Sequence, residues 1–164
     1  MTRVWLVLVV SLVADVPVAA QVTRPCTSTA DGVDAINAVA SGIIAADNAR
    51  ALERVLQYYT ADAIWMPPGQ AAVVGRAAIR GRYEELFASF TPQIVPTIEE
   101  ACVAGDLGFV RGHNGGQVVD RKSGAARALD DAYLMLLRRG PDGAWRISHL
   151  MWHRQSPVPP ATAH

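Results

Sequence analysis

Apolar residues recur at helical spacing between Val33 and Asn48, at Val33, Ile36, Val39, Ala40, Ile43 and Ile44, and predict a first helix with Asp31 as its cap. A shorter helix is expected over about 50–58, with Leu52, Val55 and Leu56 on one side. Ala63-Ile64-Trp65-Met66 reads as a strand stopped by Pro67-Pro68-Gly69. Gly75 then precedes a third helix, about 76–89, whose Ile79, Tyr83, Leu86 and Phe87 fall at 3–4 spacing. Strands are expected at about 94–103, 107–114, 129–138 and 145–154. Gly105-Asp106 links the first two, and Gly140-Pro141-Asp142-Gly143 turns between the last two. The stretch 115–128 is rich in glycine and charge and reads as a connection holding a short strand at Gln117–Val119. Helices first and a strand meander after them make an α+β domain over 32–154, preceded by a flexible arm at 21–31 and followed by a disordered, proline-rich tail at 155–164.

The N-terminus follows another pattern. Arg3 precedes Val4–Val13, where only Ser11 is polar, and Val18-Ala19-Ala20 precedes Gln21. A positive start, an apolar core and small residues before a cut predict a secretory signal peptide over 1–20, cleaved near Ala20/Gln21. Asp15 and Pro17 interrupt the segment short of the roughly 20 apolar residues of a membrane span. The expected location is therefore the periplasm or outside the cell, with no membrane association after cleavage. An oxidising compartment permits a bridge between the two cysteines, Cys26 and Cys102, although independent buried thiols fit the sequence equally.

Composition narrows the chemistry. The 164 residues are 51% hydrophobic and 18% charged, enough for a substantial core. Fifteen basic residues balance fifteen acidic ones, and only Lys122 is a lysine, which argues against a nucleic-acid partner. No C-x-x-C, H-E-x-x-H, G-x-S-x-G or phosphate-loop pattern occurs. His149 and His153 share a strand face, but four extended residues separate them by roughly 13 Å. No metal and no cofactor are expected.

Three segments carry a resemblance. Tyr59-Thr60-Ala61-Asp62-Ala63-Ile64-Trp65-Met66-Pro67-Pro68-Gly69, Gly75-Arg76-Ala77-Ala78-Ile79, and Asp142-Gly143-Ala144-Trp145-Arg146-Ile147-Ser148-His149 with Trp152 resemble, in order and spacing, segments of the SnoaL-like and ketosteroid-isomerase-like proteins. The resemblance covers about 33–154. It implies the nuclear transport factor 2-like fold: a cone-shaped, curved mixed or antiparallel sheet wrapped around three N-terminal helices, enclosing an apolar pocket, and commonly a homodimer. That fold hosts isomerases, dehydratases, cyclases and non-catalytic binders, so function must be argued from the site. The isomerase's catalytic positions fall on Pro67, Ile43 and Leu134 or Met135, none of which can exchange a proton. A standard ketosteroid isomerase is excluded on those residues.

The resemblance places Leu107, Phe109, Arg111 and His113 on the pocket-facing register of their strand. Arg111 would then hold a carboxylate or enolate, and His113 would exchange protons. The competing reading pairs Arg111 with Glu99, Asp130 or Asp131 and leaves His113 at the rim. Parity with Tyr133 selects Asp131 over Asp130 as the carboxylate entering the pocket. His113 and Asp131 are thus the catalytic candidates, and Trp65, Tyr83, Arg111, Tyr133 and Trp152 the substrate-binding ones. Trp145 and Ile147 should face away from Trp152 unless a bulge intervenes. Two functions follow: an isomerase, lyase or cyclase for a small apolar or carbonyl-bearing molecule, or a non-catalytic exported ligand-binding or dimeric interaction module.

Overall fold

The structure, a computed structural model, describes residues 29–155. The export signal expected at 1–20, most of the arm and all of the tail beyond Gln155 lie outside the described residues. Helix α1 spans Ala30–Asn48, α2 Leu52–Gln57 and α3 Arg76–Ser89. The strands are β1 (Tyr59–Met66), β2 (Val73–Val74), β3 (Phe90–Ala104), β4 (Leu107–Asp120), β5 (Ala126–Ala128), β6 (Asp131–Arg139) and β7 (Trp145–Arg154). They form one curved, unclosed mixed sheet ordered β2-β1-β7-β6-β4-β3, with β5 paired to β4. All pairings are antiparallel except that of β1 with β7.

The helices cover the concave face. Ile36, Ala40 and Ile43 of α1, Ile79 and Tyr83 of α3, and Val110, Tyr133, Met135, Leu137 and Ile147 of the sheet are buried in one core. Burying these side chains is the main drive for folding, at about 1.5–3 kcal/mol for each large one. Asn48 fixes the end of α1 on the edge strand: its amide accepts from the Ile94 N–H at 2.7 Å and donates to the Ile94 carbonyl at 2.8 Å. This closes backbone groups that an edge strand leaves open. Pro92 and Pro96 sit on that same edge strand, where a missing N–H is tolerated.

Several expectations need correction. The cap of α1 is Thr29, without a side-chain cap bond, and Asp31 lies inside the first turn, where it complements the helix dipole. The arm therefore ends before Ala30. Strand β3 begins at Phe90, and β4 continues through Gly115 and Gly116 to Asp120 rather than stopping at 114. Gly116 makes that continuation possible with φ 94°, since a Cβ there would stand 2.1 Å from the Gln93 carbonyl oxygen. At Ser148 a bulge shifts the β6–β7 register between Leu136 and Leu137. Ile147 consequently points into the same core as Leu150, and Trp145 packs against it, instead of facing the other side.

Candidate functional site

Between helices and sheet lies a cavity of about 380 Å³. Its wall is mostly apolar and aromatic. Ile43 and Ile44 come from α1, Phe87 from α3, Ile94 from β3, and Met135 and Leu150 from the sheet floor. Trp65, Tyr83 and Trp152 form a continuous aromatic wall of mutually tilted rings, with centroids 4.9 Å apart for Trp65–Tyr83 and 5.0 Å for Trp65–Trp152. Tyr133 lies beside Trp152 on the neighbouring strand. Gly112 makes room for it, because a Cβ at that position would stand 2.6 Å from the Tyr133 hydroxyl oxygen.

Two polar sets interrupt this lining. On the helical side Asp47, at the end of α1, is only 9% exposed. The Tyr83 hydroxyl is hydrogen-bonded to its carboxyl group, and the Tyr59 hydroxyl lies 3.2 Å from that of Tyr83. Asp47 Oδ1 is buried without a partner in the protein. Burial pushes the Asp47 carboxyl up from 3.8 to about 8, against the opposing bond from Tyr83. Burial also raises the Tyr83 and Tyr59 phenols, reinforced by the nearby Asp47 charge, so both stay neutral hydrogen-bond donors. On the sheet side Asn114, Asp131 and Arg154 stand abreast on β4, β6 and β7, with Arg127 also at the cavity edge.

Trp65, Tyr83, Asp131, Tyr133 and Trp152 thus line the cavity, as their positions in the sequence suggested. Arg111 and His113 do not, and the pocket-facing register assigned to them is reversed. Val110, fully buried, pairs with Met135 and sets the inner face of β4, so Arg111 and His113 project outward. Arg111 is half-exposed and bonded to Glu99 and Glu100, which lie at a register shift in β3. His113 Nε2 lies 2.7 Å from Asp130 Oδ1 in an outward-facing pair at ion-pair distance, not aligned as a hydrogen bond. Neither side chain meets a molecule in the cavity.

Asp47 and Asn114 went unnoticed in the sequence, although a signal for Asp47 was there. It follows Ile36, Ala40 and Ile43 at helical spacing, which places an acid on the buried stripe of α1. Asn114 shares its face with Val110 and was hidden by the reversed register. Among the described residues no group of three or more His, Cys, Asp or Glu side chains converges as a metal site. No helix among them is long and apolar enough to cross a membrane.

Helices laid into the concave face of a curved, unclosed sheet around such a cavity define the nuclear transport factor 2-like fold. The chain belongs to the SnoaL-like domain family, whose model matches residues 40–148. Among solved structures it is similar to a ketosteroid isomerase-like protein from Erwinia carotovora atroseptica, with 25% identity, a TM-score of 0.73, and 79% of this chain and 100% of that one covered. An NTF2-like protein with a cystatin-like fold from Novosphingobium aromaticivorans is similar at 20% identity and TM-score 0.60, covering 76% and 82%. Another NTF2-like protein, from Pseudomonas putida, matches at 17% identity and TM-score 0.64, covering 80% and 99%. A search of the curated proteins finds no match.

Proposed function

We propose that this protein is an exported enzyme that moves a proton on a small, mainly apolar, carbonyl-bearing molecule held in the cavity, a reaction of the isomerase or lyase type. The observation that carries the reading is Asp47: a carboxyl group on an apolar cavity wall, one oxygen unpartnered, ionising near 8. A base of that strength is matched to removing a proton beside a carbonyl group near neutral pH. The substrate C–H bond breaks, the proton passes to the Asp47 carboxylate, and the electron pair moves onto the carbonyl oxygen. Tyr83, kept neutral and bonded to Tyr59, holds the carboxyl group in place. Returning the proton at a second carbon completes an isomerisation, whereas loss of a β-hydroxyl as water completes a dehydration.

Deuterium incorporation into 1-tetralone and other small cyclic ketones in D₂O tests this directly. Exchange above the buffer rate should rise with pH and level off beyond about 8, and Asp47→Asn should lower it by about 100-fold or more. An unchanged rate in Asp47→Asn overturns the role of Asp47. Tight retention of an unaltered compound without any exchange assigns ligand binding alone.

Export rests on the N-terminal pattern and is supported by Cys102, which is disulfide-bonded, while Cys26 lies outside the described residues. A second copy of the chain is the partner we read for the outer sheet face. There Leu107, Leu136 and Met151 are exposed, and Phe109 and Leu134 pair with Leu136 and Met151 on the adjacent strands. Light scattering should return twice the chain mass, and a monomer mass independent of concentration overturns that reading.

A further inference from the structure

On the sheet side of the cavity, two buried oxygens have nothing to bind. Asn114 Oδ1 and Asp131 Oδ1 are both buried and without a hydrogen-bond partner in the protein. The Asp131 side chain is 13% exposed, and its nearest cation, Arg154 Nε, stands off at 3.9 Å, beyond hydrogen-bond reach. A buried acceptor left unpaired costs about 1–3 kcal/mol, more when charged, so two side by side on a cavity wall call for a donor from outside the chain. Asn114 and Asp131 are directly opposed in the β4–β6 register, and both line the cavity.

The position of this pair matters for what it binds. Asn48 ties the end of α1 to Ile94, and on β3 Pro96, two residues on, pairs with Asn114. Asp47 and the Asn114–Asp131 pair therefore lie near the same end of the cavity, one on the helix layer and the other on the sheet. A single small molecule can meet both. Charge selects the donor further: Arg127 and Arg154 line the same edge and disfavour a cation. A neutral hydroxyl group fits, because its one O–H can be shared between the two adjacent acceptor oxygens without adding charge.

We infer that Asn114 and Asp131 form a hydroxyl-recognition site, so that the molecule bound is a hydroxylated carbonyl compound with an apolar body. The inference deepens the reading of the cavity given above, and it concerns binding rather than proton transfer. In it, Asp131 selects the ligand and Asp47 acts on it.

Calorimetric titration of the full chain with two matched pairs of probes separates the claims. The first pair is 6-hydroxy-1-tetralone and 1-tetralone, and the second is 5,6,7,8-tetrahydro-2-naphthol and tetralin. In each pair the hydroxylated member should bind about tenfold tighter or better, the worth of a hydrogen bond to a charged group. Asp131→Leu and Asn114→Leu should each erase that advantage, bringing the affinity ratio within each pair to about one. Both variants should melt at or above the wild-type temperature, because each removes an unpaired buried polar group; this confirms that they are folded. A hydroxyl advantage confined to the naphthol pair keeps the hydroxyl site and overturns the carbonyl reading. The site is overturned if hydroxylation brings no gain in either pair, or if the gain survives both substitutions. A 6-aminomethyl or 6-carboxy tetralone that binds tighter than the 6-hydroxy compound also overturns it, in favour of a cation or an anion.

Discussion

Asp47→Asn is expected to make the protein more stable than wild type at pH 8, by on the order of 5 kcal/mol, and nearly equal to it at pH 4. Asp47 ionises near 8 in the folded chain and near 3.8 as an ordinary carboxyl group. Between those values the folded state holds a proton that the unfolded state has released. Stability therefore falls as pH rises, by about 1.4 kcal/mol per unit at full effect, and stops falling above 8. Asparagine carries no such proton, so the variant loses the slope. Melting curves at unit steps from pH 4 to 9 should show the two proteins diverging by roughly 15 °C at the alkaline end. The depressed carboxyl groups do not blur this window. Asp62, bonded to Arg138, and Asp142, bonded to Arg146, are held at about 2. Their stabilisation is complete above 3.8 and is lost only as pH falls through 2. Parallel curves for wild type and Asp47→Asn would show that the carboxyl group is solvated. The residue proposed to act on the substrate thus weakens the fold that holds it, a trade common at working sites.

Gly112→Ala should destabilise the chain by about 3 kcal/mol or more. An added Cβ would stand 2.1 Å from the Thr97 carbonyl oxygen and 2.6 Å from the Tyr133 hydroxyl. Tyr133 lines the cavity, so displacing it intrudes on that space, and the Thr97 backbone is held in the β3–β4 ladder. One methyl group therefore strains the sheet and fills part of the ligand space together. Gly81→Ala is the matched control: it lies inside α3 with nothing within 4 Å of the added carbon. That change should leave stability equal or raise it by up to about 1 kcal/mol. Urea titrations of both variants provide the comparison, and equal midpoints would contradict the crowding at Gly112.

Elements with one buried face were legible from spacing alone. Helices α1 and α3 each present apolar residues every three or four positions because a single side meets the sheet. Asp131 was separated from Asp130 by parity with Tyr133, a choice that needs only an unbroken strand between them. Strand β4 defeated the same logic. Leu107 and Phe109 are apolar on the outer face while Val110 is apolar on the inner one, so alternation marks neither side as the core. Arg111 and His113 went with the wrong set. The bulge at Ser148 has no composition signal, since it arises from how β7 must meet both β6 and β1. Asp47 was visible as an acid on a buried stripe, but its raised ionisation comes from burial under elements far along the chain, which outweighs the lowering bond from Tyr83.

The position of β7 sets the order in which this protein can be completed. It lies between β1 and β6, and β1 reaches the rest of the sheet only through it, pairing Tyr59 with Ile147 and Trp65 with Leu150. During synthesis β1 and β2 therefore emerge long before their only link to the other strands has been made. The ribosome must deliver residues up to Arg154 before the sheet can close over α1 and α3. Until then β1 and β2 have no pairing with the remaining described strands, and the parallel β1–β7 pair is a contact that the C-terminal strand alone supplies.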